Sequence, residues 1–197
     1  MARTSQVKRS TSETQIEISL NLDGTGAQNI QTPVPFLDHM LSQLARHGYF
    51  DLMVKAKGDT HIDFHHTVED VGIAVGQAFK EALGDKKGIR RFAEANVPLN
   101  EALAQCIIDI SGRSFFVFNL ELPKAKLGEF DVELVPEFFQ AFAANSDITL
   151  HFSSPYWNNL HHITEALFKS FSRALDSACT LDSRSEDVPS KIGRAHV

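Results

Sequence analysis

Residues 65–69 read His-His-Thr-Val-Glu, and residues 161–165 read His-His-Ile-Thr-Glu. The second stretch repeats the His-His-x-x-Glu pattern of the first after 96 positions. The similarity extends downstream, because Phe79-Lys80-Glu81-Ala82-Leu83 follows the first stretch and Phe168-Lys169 follows the second. Self-similarity at a fixed displacement indicates a structural unit that occurs twice in the chain.

The residues that precede each stretch repeat as well. Asp51-Leu52-Met53-Val54 corresponds to Asp147-Ile148-Thr149-Leu150 at the same displacement of 96. Further upstream, Phe36-Leu37-Asp38-His39 matches Leu134-Val135-Pro136-Glu137 at a displacement of about 98. His39 and Glu137 are therefore predicted to be counterparts in the two halves.

The hydrophobic pattern predicts alternating strands and helices in each half. Residues 14–22 alternate strictly between apolar and polar, which is typical of a half-buried strand. Apolar residues then recur at helical spacing as far as Gly48, and a second helix is predicted from about His66 to Leu83. The remaining predicted elements are a strand over 52–58, strands near 101–110 and 114–122, and helices near 131–144 and 160–178, with a further strand expected in each half. The sequence therefore predicts an α+β fold of duplicated half-domains, with sheets covered by helices on one side.

The length and the absence of a linker predict one compact body. The chain has 197 residues, and no stretch rich in proline or serine separates the two halves. We therefore expect residues 1–197 to form a single domain of two repeats, about 8–92 and 98–180, with a C-terminal tail over 181–197.

Composition and charge argue against several classes of function. Hydrophobic residues make up 43% and charged residues 22%, which disfavours intrinsic disorder. The 19 Lys and Arg against 25 Asp and Glu give a net charge of −6, with no basic patch for nucleic acid. No apolar run has the length of a signal peptide or a membrane span. We expect a cytoplasmic protein with no nucleic-acid or membrane partner, in which Cys106 and Cys179 are buried reduced thiols.

The repeated motif is a candidate metal site. On a helix, His65 or His66 and Glu69 share a face and can converge on one ion, whereas adjacent histidines point about 100° apart. Two adjacent histidines therefore suggest two ions. Imidazole with carboxylate suits Mn, Fe or Zn, and the lack of cysteine ligands argues against structural zinc. One such motif is more often an exposed polar helix face, but a second copy in register favours metal binding.

Three aspartates near the first motif leave two interpretations open. Asp59, Asp63 and Asp70 either orient the imidazole rings, by accepting a hydrogen bond from the ring nitrogen that does not bind metal, or serve as turn and N-cap residues.

The ordered set of motifs resembles the imidazole glycerol phosphate dehydratase family of histidine biosynthesis, over nearly the whole chain. The motifs that carry the resemblance are Arg9-x-Thr11-x-Glu13-Thr14, Asn21-Leu22-Asp23-Gly24-Thr25-Gly26, Phe36-Leu37-Asp38-His39-Met40-Leu41 with Gln43 and His47-Gly48, Gly58-Asp59 through Asp63-x-His65-His66-Thr67-Val68-Glu69-Asp70, Gly88-Ile89-Arg90-Arg91-Phe92, Ser111-Gly112-Arg113, and Asn159-x-His161-His162-Ile163-x-Glu165 with Phe168-Lys169.

The resemblance implies a fold, a reaction and an assembly. The expected fold is the duplicated unit of the ribosomal protein S5 domain 2-like class. The expected reaction is the manganese-dependent dehydration of imidazole glycerol phosphate to imidazole acetol phosphate by a lyase (hydro-lyase). The expected assembly is a homo-oligomer of 24 subunits, with two Mn²⁺ ions per subunit and active sites at subunit contacts.

The resemblance also implies a role for each matching residue. The implied catalytic residues are Glu13, as the acid/base, and His47, which would assist the departing hydroxyl. The implied metal ligands are His39, His65, His66, Glu69, Glu137, His161, His162 and Glu165. The implied substrate-binding residues are Gln43, Arg91, Arg113, Lys169, Ser190 and Lys191, with the two arginines suited to bidentate contact with a phosphate.

The C-terminal tail departs from the family pattern. The family ends in Pro-Ser-Thr-Lys-Gly, whereas this chain reads Pro189-Ser190-Lys191-Ile192-Gly193 and continues to Val197. Two other hypotheses stay open beside the dehydratase: a metal-binding shell that has lost turnover through the altered tail, and a metal-dependent phosphohydrolase.

Overall fold

The computed structural model describes residues 3–184 and 186–190. Within these ranges the chain forms ten strands and four helices. In chain order they are β1 (Thr4–Ser10), β2 (Thr14–Asn21), β3 (Gln28–Gln31), α1 (Pro35–Gly48), β4 (Asp51–Gly58), α2 (His65–Leu83), β5 (Phe92–Leu99), β6 (Ala102–Asp109), β7 (Phe115–Asn119), β8 (Lys126–Leu127), β9 (Phe130–Asp131), α3 (Leu134–Ser146), β10 (Thr149–Tyr156) and α4 (Leu160–Cys179).

The strands form two four-stranded sheets with the same connectivity. The first sheet has the order β1-β2-β4-β3 and the second the order β5-β6-β10-β7. In each sheet the first two pairings are antiparallel and the last is parallel. The short hairpin β8–β9 is inserted only in the second half. The second half therefore repeats the chain path of the first with one addition.

The predicted periodicities explain the main elements. In β2, Ile16, Ile18 and Leu20 are buried and Glu17 between them is exposed, as the alternation predicts. Helix α1 begins at Pro35, which has the backbone angle of a first helical residue and needs no amide partner there. Its buried residues recur every three to four positions, so one face packs into the core.

The four helices lie between the two sheets. Helix α2 packs on β1 and β2, and α4 packs on β5 and β6. The helices also pack across the halves, α1 on α4 and α2 on α3, so each sheet is covered on one face. The second half contributes a cluster of fully buried rings: Phe138, Phe139, Phe142, Phe152, Phe168 and Phe171.

Paired helices run in the same direction. Near the C-terminal ends of α2 and α3, Lys80 forms an ion pair with Asp147, while His65 and Glu137 line one recess near their N-terminal ends. In the other pair, His39 of α1 contacts Glu165 in the second turn of α4. The N-terminal ends of the helices, which carry the repeated motif, therefore lie at the same end of the molecule.

The α+β fold predicted from the sequence is confirmed, with several differences in detail. Helix α3 begins at Leu134 rather than near 131, and β7 spans Phe115–Asn119 rather than 114–122. A further strand is expected in each half, but the pattern gives no bounds for β1, β3, β5 or the β8–β9 hairpin. Among the described residues, no helix is both long and apolar enough to cross a membrane. Cys106 and Cys179 are free and buried, as expected.

Candidate active site

Three predicted ligands converge where α1 meets α4. His39 Nε2 and His161 Nε2 both lie near one oxygen of Glu165, at 3.3 and 3.2 Å from Oε2. The ligand atoms of these three residues all lie within 4.8 Å of one another. We call His39, His161 and Glu165 the α4 cluster. Both histidine side chains are 45% exposed, so the nitrogens can be reached from solvent or from another molecule.

Glu165 carries a negative charge in this cluster. Burial alone raises the pKa of its carboxyl, but hydrogen bonds from Lys169, His39 and His161 and the charge of Lys169 outweigh burial and lower the pKa to about 2. Lys169 Nζ lies 2.5 Å from Oε1, so Glu165 divides its two oxygens between the lysine and the imidazoles. An ionised carboxylate between two imidazoles has the charge that a divalent cation requires.

Polar side chains continue along α1 from the α4 cluster. One turn along α1 from His39 lies Gln43, whose Oε1 accepts a hydrogen bond from His47 Nε2 at 3.0 Å. Burial lowers the pKa of His47, and the positive charge of Lys169 lowers it further. His47 is therefore held in its neutral form beside Lys169, which is the form able to accept a proton.

A second group of predicted ligands lies where α2 meets α3. His65 Nε2 and Glu69 Oε2 are 3.6 Å apart on successive turns of α2. His65 and Glu137 line a common recess of about 270 Å³. We call His65, Glu69 and Glu137 the α2 cluster. It uses the counterparts of the α4 cluster, but among the described residues only the α4 cluster brings three ligand atoms within 4.8 Å of one another. About half of the His65 and Glu69 side chains is exposed.

The adjacent histidines diverge, as their spacing predicts. The rings of His65 and His66 are 6.3 Å apart and inclined by 88°, and those of His161 and His162 are 6.4 Å apart and inclined by 89°. His66 and His162 therefore point away from the cluster of their own helix. Ligands for a second ion would have to come from elsewhere to meet these rings.

Each diverging histidine is bound by a carboxylate. His66 Nδ1 donates to Asp59 Oδ2 at 2.9 Å, and His162 Nδ1 donates to Glu101 Oε2 at 2.9 Å. The hydrogen bond from His162 is the main cause that lowers the pKa of Glu101 to about 2. The bond to Asp59 likewise raises the pKa of His66. Sequence reasoning left Asp59 undecided and missed Glu101, which stands in the turn between β5 and β6 without any motif.

The other two aspartates near the first motif have structural partners. Asp63 Oδ1 accepts the backbone amide of His65, the first residue of α2, at 2.8 Å. Asp70 is buried and accepts hydrogen bonds from the Arg9 guanidinium and the Thr14 hydroxyl. Only Asp59 among the three binds an imidazole.

Glu13 lies beside the α2 end of the molecule. It is exposed in the turn that leads into β2, where its amide donates to Thr11 Oγ1 at 3.2 Å. Its charge acts on His66 and contributes to the raised pKa of that histidine. The predicted acid/base is therefore held near one histidine motif and open to an approaching group.

The two clusters flank the β8–β9 hairpin. A pocket of about 690 Å³ extends from His39 and His161 to Phe64, next to the α2 cluster, and the hairpin forms one wall. The hairpin is anchored there by Phe130, whose ring is 4.9 Å from that of Phe36. Both clusters and the pocket therefore occupy one end of the molecule.

The predicted phosphate-binding arginines lie at the opposite end. Arg91 precedes β5, and its amide donates to the carbonyl of Ala178 near the end of α4. Its guanidinium binds Asp109 through Nε at 2.7 Å and Nη2 at 3.2 Å, and donates to the Pro189 carbonyl through Nη1 at 2.7 Å. Arg113 is exposed after β6 at the same end of the second sheet. From His161 to Ala178 the helix rises by about 25 Å, so one chain does not bring these arginines to its own clusters.

The tail reaches this same end. Arg91 binds the Pro189 carbonyl, and Ser190 follows directly with its amide donating to the Val188 carbonyl at 2.7 Å. Lys191, the other predicted tail residue, lies outside the described residues.

The fold and the site define an α+β protein with two imidazole–carboxylate clusters at one end of its helices. The family model of imidazoleglycerol-phosphate dehydratase matches residues 32–175. The chain therefore belongs to the imidazoleglycerol-phosphate dehydratase family, and it is a hydro-lyase of histidine biosynthesis.

Individual relatives resemble the chain over nearly its whole length. The imidazoleglycerol-phosphate dehydratases of Pelobacter propionicus and Geobacter sulfurreducens are both 57% identical to it; each alignment covers 98% of this chain, and 99% and 100% of those proteins. The crystal structure of the Staphylococcus aureus enzyme matches with a TM-score of 0.83 at 41% identity, over 91% of this chain and 99% of that one. The crystal structure of the Pyrococcus furiosus enzyme in complex with (S)-C348 matches with a TM-score of 0.82 at 32% identity, over 95% of this chain and 99% of that one.

Proposed function

We propose that this chain catalyses the manganese-dependent dehydration of imidazole glycerol phosphate to imidazole acetol phosphate. The observation that carries the proposal is the α4 cluster, in which two imidazoles and an ionised carboxylate converge in a chain of this family. A cytoplasmic location is part of the same proposal.

The side chains at both clusters fit a divalent cation such as Mn²⁺. The donors are imidazole nitrogens and carboxylate oxygens, three of which converge in the α4 cluster while His65 and Glu69 form a pair in the α2 cluster. Such a set suits Mn, Fe and Zn, and both cysteines are buried in the core. The residues proposed to hold the ions are His39, His65, His66, Glu69, Glu137, His161, His162 and Glu165. When bound, two such ions per subunit would act as Lewis acids that polarise the imidazole ring of the substrate.

The chain's own residues supply the proton transfers. The departing hydroxyl is on the carbon attached to the imidazole ring, and the proton that is lost is on the next carbon, which gives the enol of the ketone product. Glu13 stands exposed near His66 as the proposed acid/base for this proton. His47, held neutral, is proposed to take part at the departing hydroxyl, with Gln43 orienting its ring. Lys169, which pairs with Glu165 of the α4 cluster, is proposed to bind a substrate oxygen.

Substrate binding requires the phosphate group to meet positive charge. Arg91 keeps guanidinium N–H groups beyond those that bind Asp109 and Pro189, and Arg113 is exposed close by. Ser190 and Lys191 are proposed to complete the phosphate site from the tail. Because these residues lie about 25 Å from the histidines of their own chain, the proposal requires that another subunit supply them.

This separation supports a homo-oligomer. His66 and His162 diverge from the clusters of their own helices, so each can complete an ion site formed with a neighbouring subunit. We propose an assembly of 24 subunits with active sites at the subunit contacts.

The proposed function is tested by direct assay. The protein is loaded with Mn²⁺ and incubated with imidazole glycerol phosphate, and the ketone product is followed by the absorbance of its enol in alkali. Metal content and particle mass are measured on the same sample, where two ions per chain and about 24 chains are expected. Metal-loaded, assembled protein that forms no ketone would refute the dehydratase.

The same assay separates the two competing functions. A phosphohydrolase would release inorganic phosphate from the substrate, which the dehydratase does not. A metal-binding shell without turnover would bind the ions and assemble but give neither product. Replacing residues 190–192 by Ser-Thr-Lys would then restore activity if the altered tail were the cause.

A further inference from the structure

We infer that Asp59 and Glu101 are positioning residues that orient His66 and His162 so that Nε2 of each ring faces outward as a metal donor. The inference rests on the proposed metal-dependent function and adds two residues to it. Neither carboxylate belongs to the set of predicted ligands.

The contact of Asp59 is specific for the imidazole. Its Oδ2 accepts from His66 Nδ1 at 2.9 Å, and its side chain is only 14% exposed. Its other oxygen, Oδ1, is buried and has no hydrogen-bond partner among the described residues. A buried acceptor without a donor has a free-energy cost, so the carboxylate is kept there for a contact other than local backbone stabilisation.

Glu101 makes the equivalent contact in the other half. Its Oε2 accepts from His162 Nδ1 at 2.9 Å, and its Oε1 accepts the amide of Asn159 at 2.7 Å. Asn159 in turn caps α4 by accepting the amides of His161 and His162. Glu101 therefore fixes both the ring of His162 and the turn of helix that carries it.

The two carboxylates come from unrelated positions in the repeat. Asp59 follows β4, and the residue 96 positions later is Pro155. Glu101 lies between β5 and β6, and the residue 96 positions earlier is Ser5. Each half thus reaches the same Nδ1 contact at 2.9 Å from a different element, which a shared ancestral side chain does not explain.

The consequence is a fixed tautomer. A carboxylate can only accept, so Nδ1 carries the proton in both rings, and Nε2 of the neutral ring keeps its lone pair for a cation. The rings remain partly exposed, 38% for His66 and 28% for His162, which leaves Nε2 accessible. Carboxylates that hold a ligand imidazole in this way fix its orientation and raise its basicity.

The test measures Mn²⁺ binding by calorimetry on the full chain, with Asp59→Ala and Glu101→Ala compared with the unaltered protein. Each alanine variant is expected to bind the ion at its histidine about 10–100-fold more weakly. Glu17→Ala is the matched control, because it removes an exposed carboxylate that pairs with Lys8 and touches no histidine. Unchanged affinity in both alanine variants would overturn the inference.

Two further variants separate orientation from charge and from folding. Asp59→Glu and Glu101→Asp keep the negative charge but move the carboxylate by one methylene. If the carboxylates position the rings, both variants should bind Mn²⁺ more weakly. If the role is purely electrostatic, the Mn²⁺ affinity should not change. They also serve if an alanine variant fails to fold, as judged by its circular dichroism without metal. Wild-type affinity in both exchanges would contradict positioning.

A double-mutant cycle shows whether Asp59 acts through His66. In a His66→Ala background, Asp59→Ala is expected to add no further loss of Mn²⁺ affinity, whereas independent effects would add. Failure of the proposed function would look different: the unaltered protein itself would bind no Mn²⁺. If the unaltered protein binds two ions per chain and the cycle is additive, only the positioning inference fails.

Discussion

At the scale of single residues, the surroundings of a carboxylate decide what it does. Asp70 and Asp59 lie close to the same histidine motif, yet Asp70 is buried against Arg9 and Thr14 and Asp59 binds His66. The spacing of Asp59 and Asp70 from the motif does not distinguish the two roles. The reason is that Arg9, the partner of Asp70, lies on β1 and is distant in sequence. The three-dimensional path of β1 and β2 assigns Asp70 to stability.

Replacing Asp70 is therefore predicted to affect folding and not metal affinity. Asp70→Ala leaves the partly buried Arg9 without its carboxylate and should lower the free energy of unfolding by about 3 kcal/mol, measured by urea denaturation without metal. Asp70→Asn should cost less, since an amide oxygen still accepts from Arg9. A Mn²⁺ affinity that fell with unchanged stability would contradict this assignment.

Glu13 is the residue on which turnover should depend most directly. Glu13→Gln keeps the volume but cannot transfer a proton, so the rate of ketone formation should fall by about 10²–10⁴-fold. Metal content and particle mass should stay unchanged, because Glu13 is exposed and is not among the proposed ligands. Glu17→Gln on the adjacent strand is the control and should retain activity. Substantial turnover by the Glu13→Gln variant would move the acid/base role to another residue.

At the scale of elements, sequence pattern predicted the helices well and the short strands poorly. The motif helices α2 and α4 and the strands β2 and β4 have strong periodicity, which is why their predicted bounds lie within a few residues of the structure. Hairpin β8–β9 has only two residues in each strand, too few for any period to appear. Glu101 was missed for a related reason: it stands in a turn, and its partner His162 is 61 residues away.

The α2–α3 pair packs more closely than side chains larger than glycine allow. A Cβ on Gly72 would lie 2.7 Å from the Phe138 carbonyl oxygen, and one on Gly76 would lie 2.7 Å from that of Phe142. Both neighbours are backbone atoms and cannot move independently of α3. Close packing here fixes the separation of the helices that carry the α2 cluster.

Gly72→Ala is therefore predicted to destabilise the protein by about 1–3 kcal/mol, although alanine favours an isolated helix. The measurement is the midpoint of thermal unfolding without metal. Gln140→Ala on the exposed face of α3 is the control for helix propensity and should change stability little. A Gly72→Ala variant as stable as the control would show that the helices separate without cost.

At the scale of the whole molecule, one chain holds the parts of the site at opposite ends. Glu13 and both clusters lie at the N-terminal ends of the helices, whereas Arg91 and Arg113 lie at the other end of the second sheet. Sequence motifs identify the residues of a site without saying which copy of the chain supplies each of them. The histidines and the two arginines of one chain are about 25 Å apart because α4 is that long. The sequence alone does not give this distance, since it depends on how the strands and α4 are arranged.

This separation predicts complementation between two inactive variants. Glu13→Gln and Arg113→Ala chains are co-expressed in equal amounts, and ketone formation is compared with that of each variant alone. If the two residues of one site come from different chains, about a quarter of the sites receive both intact residues by random assortment. If one chain supplies both residues, no site is intact and the mixture stays inactive.

The doubly substituted chain, co-expressed with the unaltered chain, gives the second comparison. Shared sites again predict about a quarter of the full activity, because both contributing chains must be unaltered, whereas single-chain sites predict about half. The two mixtures should therefore give equal activities when sites are shared and widely different ones when they are not. The ratio of the two activities therefore tests whether the site is shared, and it does not depend on how strongly Glu13 or Arg113 contributes to the rate.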